Sequence, residues 1–208
     1  MIKYLLLSFF IIAVSCNQSP SSNNQKISIA LKDKPVIIIL QPIGNFSKTT
    51  LKFLEDSIPK FYTVKIVIAS PEAFPSNAYY ASRKRYRADT IINWLKQIKP
   101  DSARLIVALT NSDISTTKGS IKDYGVMGLG FQPGVACVVS SFRLQNDHPS
   151  QQLLQQRIFK TVVHEIGHNF GLPHCSNKNC IMADAEGKLN QDNEKDLGEE
   201  CKKKLKIE

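Results

Sequence analysis

His164-Glu165-Ile166-Gly167-His168-Asn169-Phe170-Gly171-Leu172-Pro173-His174-Cys175 is the stretch around which the 208-residue chain is organised. Residues four apart on a helix share a face, so His164 and His168 present two imidazoles to one point in space. Glu165 sits about 100° further round the helix, near enough to reach a water held there and poorly aimed to be a ligand. It reads as a base. Gly171 can take the left-handed conformation that ends helices, and Pro173 cannot continue one, so a sharp turn is expected to bring His174 back as a third ligand. Three neutral imidazoles on zinc leave a fourth position for water, whose pKa falls to about 7 in such sites. The pattern therefore points to zinc-dependent hydrolysis, with Glu165 catalytic and His164, His168 and His174 as metal ligands. A bare HExxH also arises by chance on polar helix surfaces, but here a glycine, a third histidine and the downstream Met182 accompany it.

The extended pattern HExxHxxGxxH with a later methionine is that of the metzincins, zinc peptidases whose methionine lies in a turn below the metal. Met182 would then be the apolar floor under the imidazoles, the plain alternative being an ordinary core methionine. Cys175 directly after the third histidine, and Cys180-Ile181-Met182, add a closer likeness: the chain resembles the archaemetzincin family. The resemblance runs from Val36 to Leu205 and includes Tyr86-Arg87-Ala88 and Ser141-Phe142-Arg143-Leu144. It implies a metzincin-like zincin that hydrolyses peptide bonds. In that family a downstream CxxC completes four cysteines around a second, structural zinc. Leu197-Gly198-Glu199-Glu200-Cys201 resembles that segment with Gly198 in place of its first cysteine, so the fourth thiolate is missing. Two readings of Cys175, Cys180 and Cys201 stay open at this point. They hold a second zinc completed by water or another side chain, or two of them pair as a disulfide in an oxidising compartment.

Outside this stretch the pattern alternates strands and helices. Val36–Leu40 is a continuous β-branched run typical of a buried strand, and Pro42-Ile43-Gly44-Asn45 is a turn. Ser47 caps a helix reaching about Ile58, stopped by Pro59. Tyr62–Ala69 and Arg104–Thr110 are further strands. A polar connection covers Pro71–Tyr80, and an amphipathic helix covers Tyr86–Ile98, stopped by Pro100. Asn111–Lys122 reads as a loop. Tyr124–Phe131 reads as a glycine-rich edge, either a plain hairpin or an edge open to pairing with an extended peptide. Val135–Ser141 is a buried strand with Cys137 packed inside it. Gln151–Phe170 is the long site-bearing helix, with Leu153, Leu154, Ile158, Val162, Ile166 and Phe170 on its buried side. The fold class expected is α/β (α+β): a mostly parallel twisted sheet with an antiparallel edge strand, flanking helices, the active-site helix and a small C-terminal subdomain. His148 precedes a proline in a loop and is not expected to be a ligand.

With 42% hydrophobic and 22% charged residues, the chain is long enough for one sizeable core, and residues 35–208 are expected to be a single peptidase domain. A net charge of +9 raises the question of nucleic acid, but the basic residues are spread out apart from Arg83-Lys84-Arg85 and Lys202-Lys203-Lys204. A solvated face explains them more simply, and no nucleic-acid partner is expected. Residues 1–15 hold one charge, Lys3, and a short apolar run, as secretory signals do. Ala13-Val14-Ser15-Cys16 resembles the cleavage box of bacterial lipoproteins, with Ala13 where leucine is usual; an ordinary cleaved signal is the alternative. Acylation of Cys16 would anchor the chain to a membrane, with 16–34 as a flexible tether. Asn17 favours the outer membrane if the source is Gram-negative. An exported lipoprotein that acts as a monomer on peptide or protein substrates is the expectation, against a non-catalytic zinc- or peptide-binding lipoprotein that keeps the fold. Glu165 argues for the enzyme, because metal storage needs no carboxylate there.

Overall fold

The computed structural model describes residues 36–205. The expected signal, the tether and Cys16 lie outside them. Five strands form the main sheet: β1 (Val36–Pro42), β2 (Val64–Ile68), β5 (Leu105–Thr110), β8 (Gly128–Gly130) and β9 (Ala136–Ser140), in the order β2-β1-β5-β9-β8. β1 runs parallel to β2 and β5, and β5 parallel to β9, while β8 closes the sheet antiparallel to β9. A mostly parallel sheet with one antiparallel edge strand is what the alternation of strands and helices implied.

Side-chain alternation sends Ile38, Leu40, Leu105, Val107, Leu109, Cys137 and Val139 to one face of the sheet. There they pack against α1 (Lys48–Ser57) and α3 (Gln151–Asn169). Ile39, Ile106, Ala108, Ala136 and Val138 go to the other face, against α2 (Ala88–Ile98). Both faces are covered, which is why these strands read as unbroken apolar runs. α1 starts where Ser47 accepts the Thr50 N–H at 3.3 Å and gives way to a 3-10 turn containing Pro59.

Several boundaries differ from the sequence reading. Tyr86 and Arg87 are not helical. They form β4 (Arg85–Arg87), where Tyr86 stacks on Phe74 with ring centroids 3.6 Å apart, and α2 begins at Ala88. Asn111–Lys122 is not a loop, because β6 (Ile114–Lys118) and β7 (Ile121–Val126) pair as a hairpin across Gly119-Ser120, with Gly119 at φ 58. A two-residue connection of this kind between β-branched runs is a hairpin signal that polar composition masked. Together with β3 (Tyr79–Tyr80) and β4, these strands make a second sheet in the order β3-β4-β6-β7, which local periodicity does not reveal. The glycine-rich edge expected at Tyr124–Phe131 is thereby divided, Tyr124–Val126 belonging to the second sheet and Gly128–Gly130 to the main one. Arg85, counted within a solvated basic cluster, turns inward to Asp113 at 3.2 Å and Asp123 at 3.4 Å.

α3 is enclosed on more than one side. Leu153 is 36% exposed, contrary to expectation, whereas Arg157, Thr161, Glu165 and Asn169 are buried along with Ile158, Val162 and Ile166. Residues 171–205, which hold only one further helix, α4 (Glu199–Leu205), cover Arg157 and Thr161, while the segment Gly128–Gly134 covers Glu165 and Asn169. Arg157 ties the C-terminal segment in place. Its guanidinium bonds Asp192 at 2.8 and 2.6 Å, Asp147 at 2.9 and 3.1 Å, and the carbonyl of Leu144 at 3.0 Å. A planar fork with five donors can serve both carboxylates and a carbonyl at once.

Candidate active site

His164 and His168 leave α3 one turn apart, and Gly171, at φ 94, reverses the chain two residues beyond the helix end. A β-carbon at that φ would be strained, so the turn suits glycine. The reversal returns His174, and the nearest ring nitrogens of the three histidines lie within 4.8 Å of one another.

The two helical imidazoles have their Nδ1 committed. His164 Nδ1 lies 2.6 Å from the Ile181 carbonyl and His168 Nδ1 2.8 Å from the Leu172 carbonyl. A carbonyl only accepts, so the proton sits on Nδ1 and the lone pair on Nε2. His174 Nδ1 faces Asp184 at 3.6 Å. Burial lowers the His164 pKa to about 4 and also lowers that of His168, which keeps both rings neutral, the form a metal binds. His168 Nε2 and His174 Nε2 stand 3.2 Å apart. Ligand nitrogens on a tetrahedral zinc are separated by about 3.3 Å, given zinc–nitrogen distances of about 2.0–2.1 Å. The donor set fits zinc in chemistry and in spacing.

Glu165 is buried against β8, accepting the Gly130 N–H, and desolvation raises its carboxyl to about 8 despite that bond. It fits there because the facing strand residues have no side chains. A β-carbon on Gly128 would come within 2.5 Å of Glu165 Oε1, and one on Gly130 within 3.1 Å of Oε2. Met182 is fully buried, and its sulfur fills the space beside Gly167, where a β-carbon would meet it at 2.4 Å. Neither dependence is stated by the catalytic pattern itself. The glycines at i and i+2 of a strand, on one face by period two, were the signal available for the first.

The site opens into a cavity of about 490 Å³. One wall is β6, β7 and β8 together with Phe131. The other is α3 from Lys160 to His168, together with Ala183–Leu189, Gln191 and Glu194. Tyr124 bridges the two walls, its hydroxyl occupying the space that a β-carbon on Gly187 would need. Asp184, Tyr124, Gln191 and Glu194 carry no motif and were not singled out in the sequence.

Cys175, Cys180 and Cys201 form a second cluster, with all three sulfurs within 4.8 Å of one another. Cys180 Sγ and Cys201 Sγ are 3.8 Å apart, about the separation of two thiolates on one tetrahedral zinc with zinc–sulfur distances of about 2.3 Å. Cys180 Sγ also accepts the N–H groups of Met182 at 3.4 Å and Gly198 at 3.1 Å. A β-carbon on Gly198 would stand 3.4 Å from Cys180 Sγ and 3.8 Å from Cys175 Sγ. The missing side chain is therefore the one that would have faced the cluster. Cys137 lies in the core beneath the sheet, as expected, and His148 is not part of the histidine cluster.

Comparison with known proteins bears on this arrangement. The family model for Peptidase family M54 matches residues 51–207. The archaemetzincin of Archaeoglobus fulgidus is 34% identical over 145 residues, covering 70% of this chain and 82% of its own length. That of Pyrococcus furiosus is 35% identical over 156 residues, covering 70% and 79%. Among solved structures, the A. fulgidus archaemetzincin complexed with malonate aligns with a TM-score of 0.69 at 29% identity, over 81% of this chain and 99% of its own. The Methanopyrus kandleri archaemetzincin aligns with a TM-score of 0.73 at 23% identity, over 86% and 97%, a likeness of fold. Fold and relatives together define a zinc metallopeptidase of the zincin type. The chain belongs to peptidase family M54, the archaemetzincins.

The glycine gap opposite Glu165 makes a direct prediction. Gly128→Ala places a methyl within 2.5 Å of the carboxylate and displaces it. Peptide hydrolysis should fall by roughly 10²-fold, as misplacement of a catalytic group by about 1 Å does, while zinc content by mass spectrometry stays at the wild-type level. An unchanged rate would refute the fit.

Proposed function

We propose that the chain hydrolyses peptide bonds at the cluster of His164, His168 and His174, with Glu165 as the general base. The observation that carries this reading is the convergence of the three imidazoles, with Nε2 of His168 and His174 3.2 Å apart and Nδ1 of His164 and His168 each bonded to a backbone carbonyl. Zinc, when bound, supplies a Lewis acid that polarises the carbonyl and lowers the pKa of water. The rest is done by the chain. The backbone of β8, the last strand of the main sheet, offers an edge on which an extended peptide can lie. Glu165 takes a proton from the attacking water and delivers it to the leaving amine nitrogen. Its desolvated position beside Gly130 suits this work, since a carboxyl raised toward neutrality both accepts and returns a proton near pH 7. Met182 supports the imidazole-bearing helix through Gly167 and takes no part in proton transfer.

The cysteine cluster is read as a second zinc site of three thiolates, Cys175, Cys180 and Cys201, with water on the side that Gly198 leaves open. What supports this over a disulfide is the 3.8 Å sulfur separation and the two N–H donors on Cys180. For Cys16, acylation and anchoring of an exported chain at the outer membrane rest on the sequence box alone. Among the described residues no helix is long and apolar enough to cross a membrane.

Three outcomes are expected. Glu165→Gln keeps zinc and loses about 10²–10⁴-fold in turnover, read from kcat on a fluorogenic peptide beside metal content; undiminished cleavage removes Glu165 from the mechanism. Zinc counting with thiol titration under denaturing conditions should give two zincs per chain with the three cluster thiols free; one zinc and a bridge would mean a disulfide. Metabolic labelling with a radioactive fatty acid should mark the wild type and not Cys16→Ser, and equal labelling would discard the anchor.

A further inference from the structure

The cavity beside the histidines continues along α3 toward its N-terminal half, where the catalytic residues do not reach. Lys160 and Thr161 lie four and three residues before His164, so this end is about 4.5–6 Å along the helix axis from the first histidine. Opposite them stand Gln191 and Glu194, 4% and 5% exposed, with Met127 and Leu189 supplying apolar wall.

The hydrogen-bonding capacity here is lopsided. Lys160 Nζ is held by the carbonyls of Gln191 and Glu194, each at 2.6 Å. Gln191 Nε2 faces Thr161 Oγ1 at 3.4 Å and the Met127 sulfur at 3.5 Å, and the Thr161 hydroxyl donates to the Arg157 carbonyl at 2.9 Å. Arg143, which also lines the cavity, is bound to Asp113 through two nitrogens at 2.8 and 3.0 Å. Lys160, Thr161 and Gln191 thus have donors engaged, whereas Arg143 Nη1 and the side-chain amide of Asn146, another lining residue, have no partner among the described residues. Two acceptors are unmet: Gln191 Oε1 is buried with no partner among the described residues, and no described residue donates to the Glu194 carboxylate or lies in ion-pair range of it. A buried acceptor left unmet is unfavourable, so Gln191 Oε1, with the unpaired Glu194 carboxylate lining the same cavity, points to a ligand group that arrives with donors. Desolvation is also what raises the Glu194 carboxyl to about 7.

We propose that this end of the cavity is a specificity subsite for a basic side chain of the substrate, lysine or arginine, with Glu194 and Gln191 as its recognition groups. Lysine and arginine carry donors and no acceptor at their tips, and their long apolar stems match a wall of Met127 and Leu189. An acidic side chain would meet the Glu194 carboxylate and find the Lys160 ammonium already held by two carbonyls. Lys118 and Lys188 also line the cavity and would attract acidic groups, so acidic peptides are the informative competitors. The proposal rests on the peptidase reading of the adjacent histidine cluster.

The test uses the zinc-loaded protein and a mixed peptide library, with cleaved bonds identified by mass spectrometry. It is followed by kcat/KM on matched fluorogenic peptides carrying Lys, Arg, Leu or Glu beside the scissile bond. Lys and Arg peptides should exceed Leu and Glu peptides by roughly tenfold or more. Glu194→Gln, nearly isosteric, should pull the Lys-to-Leu ratio toward one with zinc content unchanged, and Glu194→Asp should restore part of it. A preference for acidic residues, no preference for basic ones, or an unchanged ratio in Glu194→Gln overturns the subsite while leaving the peptidase reading intact. If no peptide is cleaved, the peptidase reading fails and binding decides the subsite. By fluorescence anisotropy, Lys peptides should bind Glu165→Gln more tightly than Leu peptides, and Glu165→Gln/Glu194→Gln should lose the difference. Equal binding, or none, overturns it.

Discussion

α3 is the element everything else must accommodate, because it is enclosed by the sheet on one side and by residues 171–205 on another while carrying polar groups into both contacts. An enclosed helix gains apolar burial at about 25 cal/mol per Å², but every polar atom it takes inside needs a partner. Arg157 finds two carboxylates and a carbonyl, Thr161 bonds the carbonyl one turn back, and the two helical histidines each find a carbonyl for Nδ1. These bonds do structural and chemical work together. Those that let the imidazoles be buried are the same ones that fix their tautomers and aim their lone pairs at a common point.

The gaps left by missing side chains are the second half of the design. Glu165 occupies the space that β-carbons on Gly128 and Gly130 would take, and Met182 occupies the space beside Gly167. In each case a chemically or sterically demanding residue sits where only hydrogen faces it. Close approach of this kind fixes the carboxylate relative to the sheet edge, so the strand on which a substrate would lie and the base that would act on it form one rigid unit.

The C-terminal residues achieve their position with little regular structure. The Arg157–Asp192 pair, the two carbonyls that hold Lys160 and the Ile181 carbonyl on His164 fasten them to α3, while the three sulfurs gather the segment on itself. Such point attachments leave the intervening loops free to vary in sequence, and these loops form the far wall of the cavity. On the proposed reading the helix and β8 would hold the chemistry, and the segment after Met182, which lines the cavity, would distinguish substrates.

Much of this was legible in the sequence. Helical spacing places His164 and His168 on one face whatever surrounds them, Gly171 and Pro173 dictate a reversal, and continuous apolar runs declare a sheet covered on both sides, because these signals act within a few residues. The second sheet, the inward turn of Arg85 and the strand at Tyr86 were not legible, since each depends on pairing between residues distant in sequence, whereas the hairpin of β6 and β7 is local and polar composition masked its signal. The same holds within the site. Residue type and spacing named the three histidines and Glu165 as candidates, but neither could show that Gly128 makes room for the carboxylate, that Asp184 faces His174, or that Gln191 and Glu194 meet α3 with their acceptors unmatched. Local periodicity is encoded one turn at a time, whereas the filling of a shared volume is decided only when separate segments compete for it.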